Sequence, residues 1–97
     1  MSWIDVQREA IGSKNVDGLL TKFALNHPTY VRENAGGDRE FGLWLFMVDR
    51  KMRRLVGIGH RDIADWHWHD AFDDGVSPSE AARDALGADD TFSELFG

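Results

Sequence analysis

The chain has no cysteine, only two prolines and a single tyrosine in 97 residues. The absence of cysteine excludes disulfide frameworks, thiolate zinc sites and cysteine nucleophiles, and leaves the compartment unmarked by redox chemistry. Long apolar runs are missing too. The longest, Leu43 to Val48, has six residues, against the roughly 20 that a membrane-spanning helix needs. The opening Met1-Ser2-Trp3-Ile4-Asp5 lacks the basic stretch and apolar run of a secretory signal. A cytoplasmic protein without membrane contact is therefore expected. No Gly-rich phosphate loop, Gly-x-Ser-x-Gly elbow or His-Glu-x-x-His motif occurs. No catalytic residue, metal site or cofactor is expected, and the chain does not read as an enzyme.

What is present is an ordinary globular composition, 42% apolar and 29% charged. That is enough for one core in one domain spanning 1–97. Its parts are N-terminal helices and a loop over 1–40, a helical core over 41–88 and a tail over 89–97. The net charge is −6, unevenly spread. Residues 1–60 carry nine Lys/Arg and seven Asp/Glu, whereas residues 61–97 carry two Arg and ten Asp/Glu. An acidic half of this kind repels nucleic acid and suits a basic partner, or simply keeps a small domain soluble.

Helical signals dominate. Ser2 can cap a helix over Trp3 to Ile11, with Gly12 as its stop. Val16, Leu19, Leu20, Phe23 and His27 repeat at helical spacing up to Pro28, which ends the run. Residues 29–39, rich in Asn, Gly and Asp, read as a loop. Asp38 can cap a third helix whose apolar positions are Phe41, Trp44, Leu45, Val48, Met52, Leu55 and Val56. A strand over Leu43 to Val48 paired with Leu55 to Ile58 is the alternative, giving an α+β fold with a hairpin at 43–58. Asp62 or Asp65 can start a helix that runs to Asp74, with Gly75 as a left-handed stop. Ser77, Pro78 and Glu80 spell a capping box with proline at the first helical position. Gly87 would end that helix, and Phe92, Leu95 and Phe96 make a last apolar turn. The expected fold is all-α, a bundle of four or five short helices. Its core would centre on Leu19, Leu20, Phe23, Trp44, Val48, Leu55, Trp68, Phe72 and Leu86.

Several constellations could carry chemistry. His60, Asp62, Asp65, His67, His69 and Asp70 are the densest set of possible metal ligands. On one helix, however, His67 and His69 point about 200° apart and cannot share an ion. A calcium loop aligned on Gly75 puts Phe72 and Ala81 where oxygen ligands belong. The helix pair flanking Asp74 to Pro78 has the outline of a helix-turn-helix. Its second helix offers Ser79, Glu80, Arg83 and Asp84, the wrong sign for DNA. Arg50, Lys51, Arg53 and Arg54 are the one plausible phosphate-contacting set. Conversely, the carboxylate-rich half could mimic DNA.

Val48-Asp49-Arg50, then Gly59 to Asp65, then Trp68-His69-Asp70-Ala71-Phe72-Asp73-Asp74-Gly75 and Ser77-Pro78-Ser79-Glu80-Ala81-Ala82 form a familiar pattern. It resembles small proteins of phages, plasmids and actinobacteria that carry Trp-x-Asp-x-Phe-x-x-Gly-x-Ser-Pro-x-Glu-Ala-Ala. The resemblance covers roughly residues 44 to 88. His69 stands where that pattern usually has Arg. No activity, cofactor or catalytic residue comes with it; it implies a helical 44–56 and a mobile-element origin. The function expected is that of a non-enzymatic accessory protein engaging a host protein. Its contact residues would be Asp70, Asp73, Asp74, Asp84, Asp89 and Asp90 with the anchors Phe92, Leu95 and Phe96 at helix-in-groove spacing. Nucleic-acid binding through Arg50, Lys51, Arg53 and Arg54 is the alternative. Oligomeric state is open.

Overall fold

A computed structural model describes residues 1–63 and 66–89, which form six helices and no strand. The helices are α1 (Trp3–Ile11), α2 (Ser13–Asn26), α3 (Pro28–Ala35), α4 (Arg39–Val56), α5 (Trp68–Asp73) and α6 (Pro78–Ala88), with a 3-10 turn at His60–Asp62 between α4 and α5. The fold is all-α, as the helical periodicities predict.

The start signals work largely as read. Ser2 Oγ accepts from Asp5 N–H at 3.3 Å and the Asp5 carboxylate accepts from Ser2 N–H at 3.3 Å, a complete capping box. Asp38 caps α4 by accepting from the N–H groups of Glu40 and Phe41. Ser77 Oγ accepts from Glu80 N–H at 3.2 Å, ahead of Pro78 at the first helical position.

The central helix α4 runs unbroken through 43–56, so the hairpin alternative does not form. Its core face presents Trp44, Leu45, Val48 and Met52, each at most 1% exposed. The small residues Ala81, Ala82 and Ala85 let α6 lie close along it, and Leu86 fills the remaining space. Trp44 Nε1–H donates to the Val76 carbonyl at 2.9 Å, so the one polar atom of the central indole is satisfied. On another flank α3 crosses at Gly42, where an added Cβ would stand 3.3 Å from Val31 Cγ2.

Four expectations are corrected. Residues 28–35 are a helix, not a loop. Pro28 ends α2 and also begins α3, because proline is pre-set for the first helical position. The helix expected from Asp62 or Asp65 to Asp74 is shorter: a 3-10 turn and then α5 from Trp68. Asp62 spends its carboxylate on Gly59 N–H at 3.1 Å instead, and Asp65 lies outside the described residues. Gly87 sits inside α6, which ends at Ala88. Leu19 is 53% exposed, although its neighbour Leu20 is fully buried. Leu55 and Trp68 are half-buried and pack against the core. Gly75 does act as the stop after α5, at φ 82 and packed against the Met1 carbonyl.

Candidate functional site

The acidic residues singled out by sequence stay at the surface. Asp70, Asp73 and Asp74 are exposed along α5 and its end, Asp84 is exposed on α6, and Asp89 is half-buried just beyond it. Asp90, Phe92, Leu95 and Phe96 lie outside the described residues. The four cations separate. Arg50, Lys51 and Arg54 line one shallow cleft beside Met47 and Ser79, whereas Arg53 lines another beside His60.

Of the six possible metal ligands Asp65 lies outside the described residues, and the other five do not gather at one point. His67 precedes α5 rather than sharing it with His69, and its ring stacks on Trp66 with centroids 4.1 Å apart. His69 pairs with Asp73 at 3.0 Å and lies against Phe41. Among the described residues, no three His, Asp or Glu side chains gather as a metal-holding group.

His60 meets a residue that sequence reading passed over. Asp49 is 3% exposed, the one buried charged residue among those described. One of its oxygens accepts from His60 N–H and from His60 Nδ1, both at 2.7 Å. The other accepts a short hydrogen bond from the Tyr30 hydroxyl. Burial alone would raise the Asp49 pKa. The His60 side-chain and backbone bonds and the Tyr30 hydroxyl outweigh it and hold the carboxyl below its ordinary value. Tyr30 shifts the other way: burial, then the adjacent Asp49 carboxylate, push its hydroxyl far up, so it stays a donor. The junction thus ties α3 and the turn after α4 to one α4 carboxylate. It sets the His60 ring in the wall of a mixed polar cleft of about 540 Å³.

A second cavity is of a different kind. A groove of about 450 Å³ lies between α1, α2 and α4, a size in the range of ligand pockets. Ile11, Leu19, Leu43, Phe46 and Met47 supply much of its apolar lining; Lys22 and Arg50 also line it, and no acidic residue does. Leu43, Phe46, Met47 and Arg50 recur at i, i+3, i+4 and i+7, one stripe of α4. Three exposed large apolar residues meet here: Leu19 at 53%, Ile11 at 45% and Met47 at 40%. Phe46 is held by an aromatic wall. Its ring centroid is 5.3 Å from Phe23, 4.5 Å from His27 and 5.3 Å from Tyr30. Because Tyr30 is fixed by Asp49, the buried junction also steadies the groove.

Sequence signals for both features existed. Asp49 interrupts the apolar series Leu45, Met52, Val56 at helical spacing, which marks it as inward-facing. The uninterrupted run Leu43 to Val48 makes that stretch of α4 apolar all round, more than one core face requires.

Residues 40–90 match a family of unknown function, DUF5419. That stretch holds α4 to α6 with Asp49 and His60, whereas α1 to α3, with Ile11, Leu19 and Tyr30, precede it. The chain is similar to the Gene 87 protein of Mycobacterium phage D29, 50% identical over 46 residues that make up 47% of this chain and 85% of that protein. It is also similar to the Gene 87 protein of Mycobacterium phage L5, 44% identical over 46 residues, 47% of this chain and 87% of that protein. No solved structure matches.

Proposed function

The chain belongs to the DUF5419 family, and we propose that it is a non-enzymatic, phage-type accessory protein that binds a host protein through the groove between α1, α2 and α4. The observation that carries this is where exposed apolar surface falls. Among the described residues the exposed large apolar side chains are Met1, Val6, Ile11, Leu19, Leu25 and Met47, and three of the six line this one groove. Clustered exposed apolar surface costs solubility and is a mark of interaction sites. None of the six lies among the described residues of the acidic half, 61–63 and 66–89. The partner that fits is an amphipathic helix with acidic flanks, its apolar face against Leu19 and Met47 and its carboxylates toward Lys22 and Arg50. In this reading Asp70, Asp73, Asp74 and Asp84 steer and solubilise rather than anchor.

The test is affinity capture from a mycobacterial lysate with three baits: wild type, Leu19→Asp/Met47→Asp and Asp73→Ala/Asp74→Ala. A host protein retained by wild type and by the acidic-face variant, but lost from the groove variant, is the expected result. A host protein lost only from the acidic-face variant would move the contact to the C-terminal half and overturn the proposal.

A further inference from the structure

We infer that the helix bound in the groove carries a cluster of carboxylates about two turns from its apolar anchors, seated on Arg50, Lys51 and Arg54 of α4 beside Ser79 of α6. The inference rests on the groove being a protein-binding surface, as proposed above, and adds a second contact to it. On α4 the groove is lined by Leu43, Phe46, Met47 and Arg50. A separate cleft of about 230 Å³ is lined by Met47, Arg50, Lys51, Arg54 and Ser79. Met47 and Arg50 belong to both, so the two hollows share a wall. Their order follows from α4 itself. Positions 43, 46, 47, 50, 51 and 54 are spaced three and four apart in turn, which keeps them on one stripe of the helix. The first half of that stripe is apolar and the second half is cationic.

The three cations have no acidic partner of their own. None of them forms an ion pair among the described residues, and no acidic residue lines either hollow. Complementing the α4 dipole accounts for Arg53 and Arg54 in the last turn, and that effect falls off within the turn. Arg50 and Lys51 stand before it. Three like charges around one cleft repel one another, which an arriving set of carboxylates reverses. A polypeptide suits the whole stripe better than nucleic acid does. A phosphate backbone would match the cations and leave Leu43, Phe46 and Met47 unmatched. An amphipathic helix laid along α4 meets both halves. The helical rise sets the spacing: the middle of the cationic set lies about 10 Å along α4 from the middle of the apolar set. A partner helix spans that distance in roughly six or seven residues, so its acids belong about two turns from its anchors, on the same face.

Selection from a display library of random helical peptides tests the inference, each peptide about 18 residues or five turns long. Three full-length baits are used: wild type, Lys51→Glu/Arg54→Glu and Leu19→Asp/Met47→Asp. Lys51 and Arg54 line the cleft and not the groove, so reversing them leaves the groove lining unchanged. Circular dichroism checks that every bait is folded. Wild type should enrich peptides with apolar residues at i, i+3 and i+4 and a cluster of Asp/Glu about seven residues away on the same face. The charge-reversed bait should keep the apolar pattern and lose the acidic one. A synthetic peptide selected on wild type should bind the charge-reversed chain about tenfold more weakly, because each exposed ion pair changes affinity roughly 1.4- to 5-fold and reversal adds repulsion. Added salt should narrow that difference. Peptides that need Leu19 and Met47 yet show no acidic enrichment, or bind both chains within about twofold, overturn the inference and leave the groove reading standing. A selection that yields no peptide dependent on Leu19 and Met47 overturns both.

Discussion

Replacing Asp49 tests the junction that fixes α3 and the 57–62 turn to α4. Asp49→Ala removes the acceptor for Tyr30 Oη, His60 N–H and His60 Nδ1 at once. A buried polar group left unpaired costs about 1–3 kcal/mol, and breaking a buried charged pair from one side costs about 3–5 kcal/mol. Because Tyr30 and His60 line a cleft that water can enter, part of that loss is recovered, and we expect about 3 kcal/mol. For a domain of this size that lowers Tm by roughly 12–24 °C, out of a total stability of about 5–15 kcal/mol. Asp49→Asn keeps the shape and one acceptor oxygen for His60. The Tyr30 hydroxyl can turn to accept from the new amide, so the loss should be about 1–2 kcal/mol.

The pH dependence has a definite sign. The Asp49 carboxyl is lowered in the fold, so its contribution is complete above the ordinary value of 3.8 and is lost as pH falls through the folded value. The stability gap between wild type and Asp49→Asn, read by urea denaturation with circular dichroism, should therefore be full at neutral pH. It should narrow only below about pH 4. Asp49→Ala within about 1 kcal/mol of wild type, or a gap that narrows near neutral pH, would refute this account of the junction.

Adjacent leucines should behave oppositely: Leu20→Ala, at a fully buried position, should cost about 2–5 kcal/mol in urea denaturation. Leu19→Ala, at an exposed groove position, should change stability by under about 0.5 kcal/mol while weakening any groove-bound partner. Gly57→Ala places a side chain at φ 78 in open space and should cost about 1–2 kcal/mol. Gly75→Ala should cost more, because its Cβ would stand 2.9 Å from the Met1 carbonyl oxygen; both are read from chemical denaturation midpoints. In a gel-shift assay the chain should not retard DNA at physiological salt, because Arg53 is set apart from Arg50, Lys51 and Arg54 and the net charge is −6. A shift abolished by Arg50→Ala/Arg54→Ala and steeply weakened by salt would contradict that.

Local signals were legible wherever a side chain acts on its own backbone. Ser2, Asp38 and Ser77 cap helices because their oxygens reach N–H groups two or three residues on, a relation that sequence alone displays. Pro28 was half legible: it marks both an end and a start, and the Asn/Gly composition beyond it hid the two turns of α3. Leu19 was misplaced because adjacent apolar residues on a helix straddle the edge of its buried face. Which of them goes inward depends on where α1 and α4 lie. The candidate site was largely hidden for the same reason. The groove draws on α1, α2 and α4, and the junction joins Tyr30, Asp49 and His60 from three segments, convergences that no local window contains. The histidines and aspartates of 60–74 drew attention by density, yet density in sequence did not become proximity in space.

The central claim is that this protein meets other polypeptides through the α1/α2/α4 groove. Photo-crosslinking tests it most directly, with a photo-reactive amino acid placed at Met47 in the groove or at Asp73 on the acidic face, in the full chain exposed to mycobacterial lysate. Crosslinks to a host protein are expected from position 47, and none from position 73. Crosslinks from position 73 with none from position 47 would contradict it.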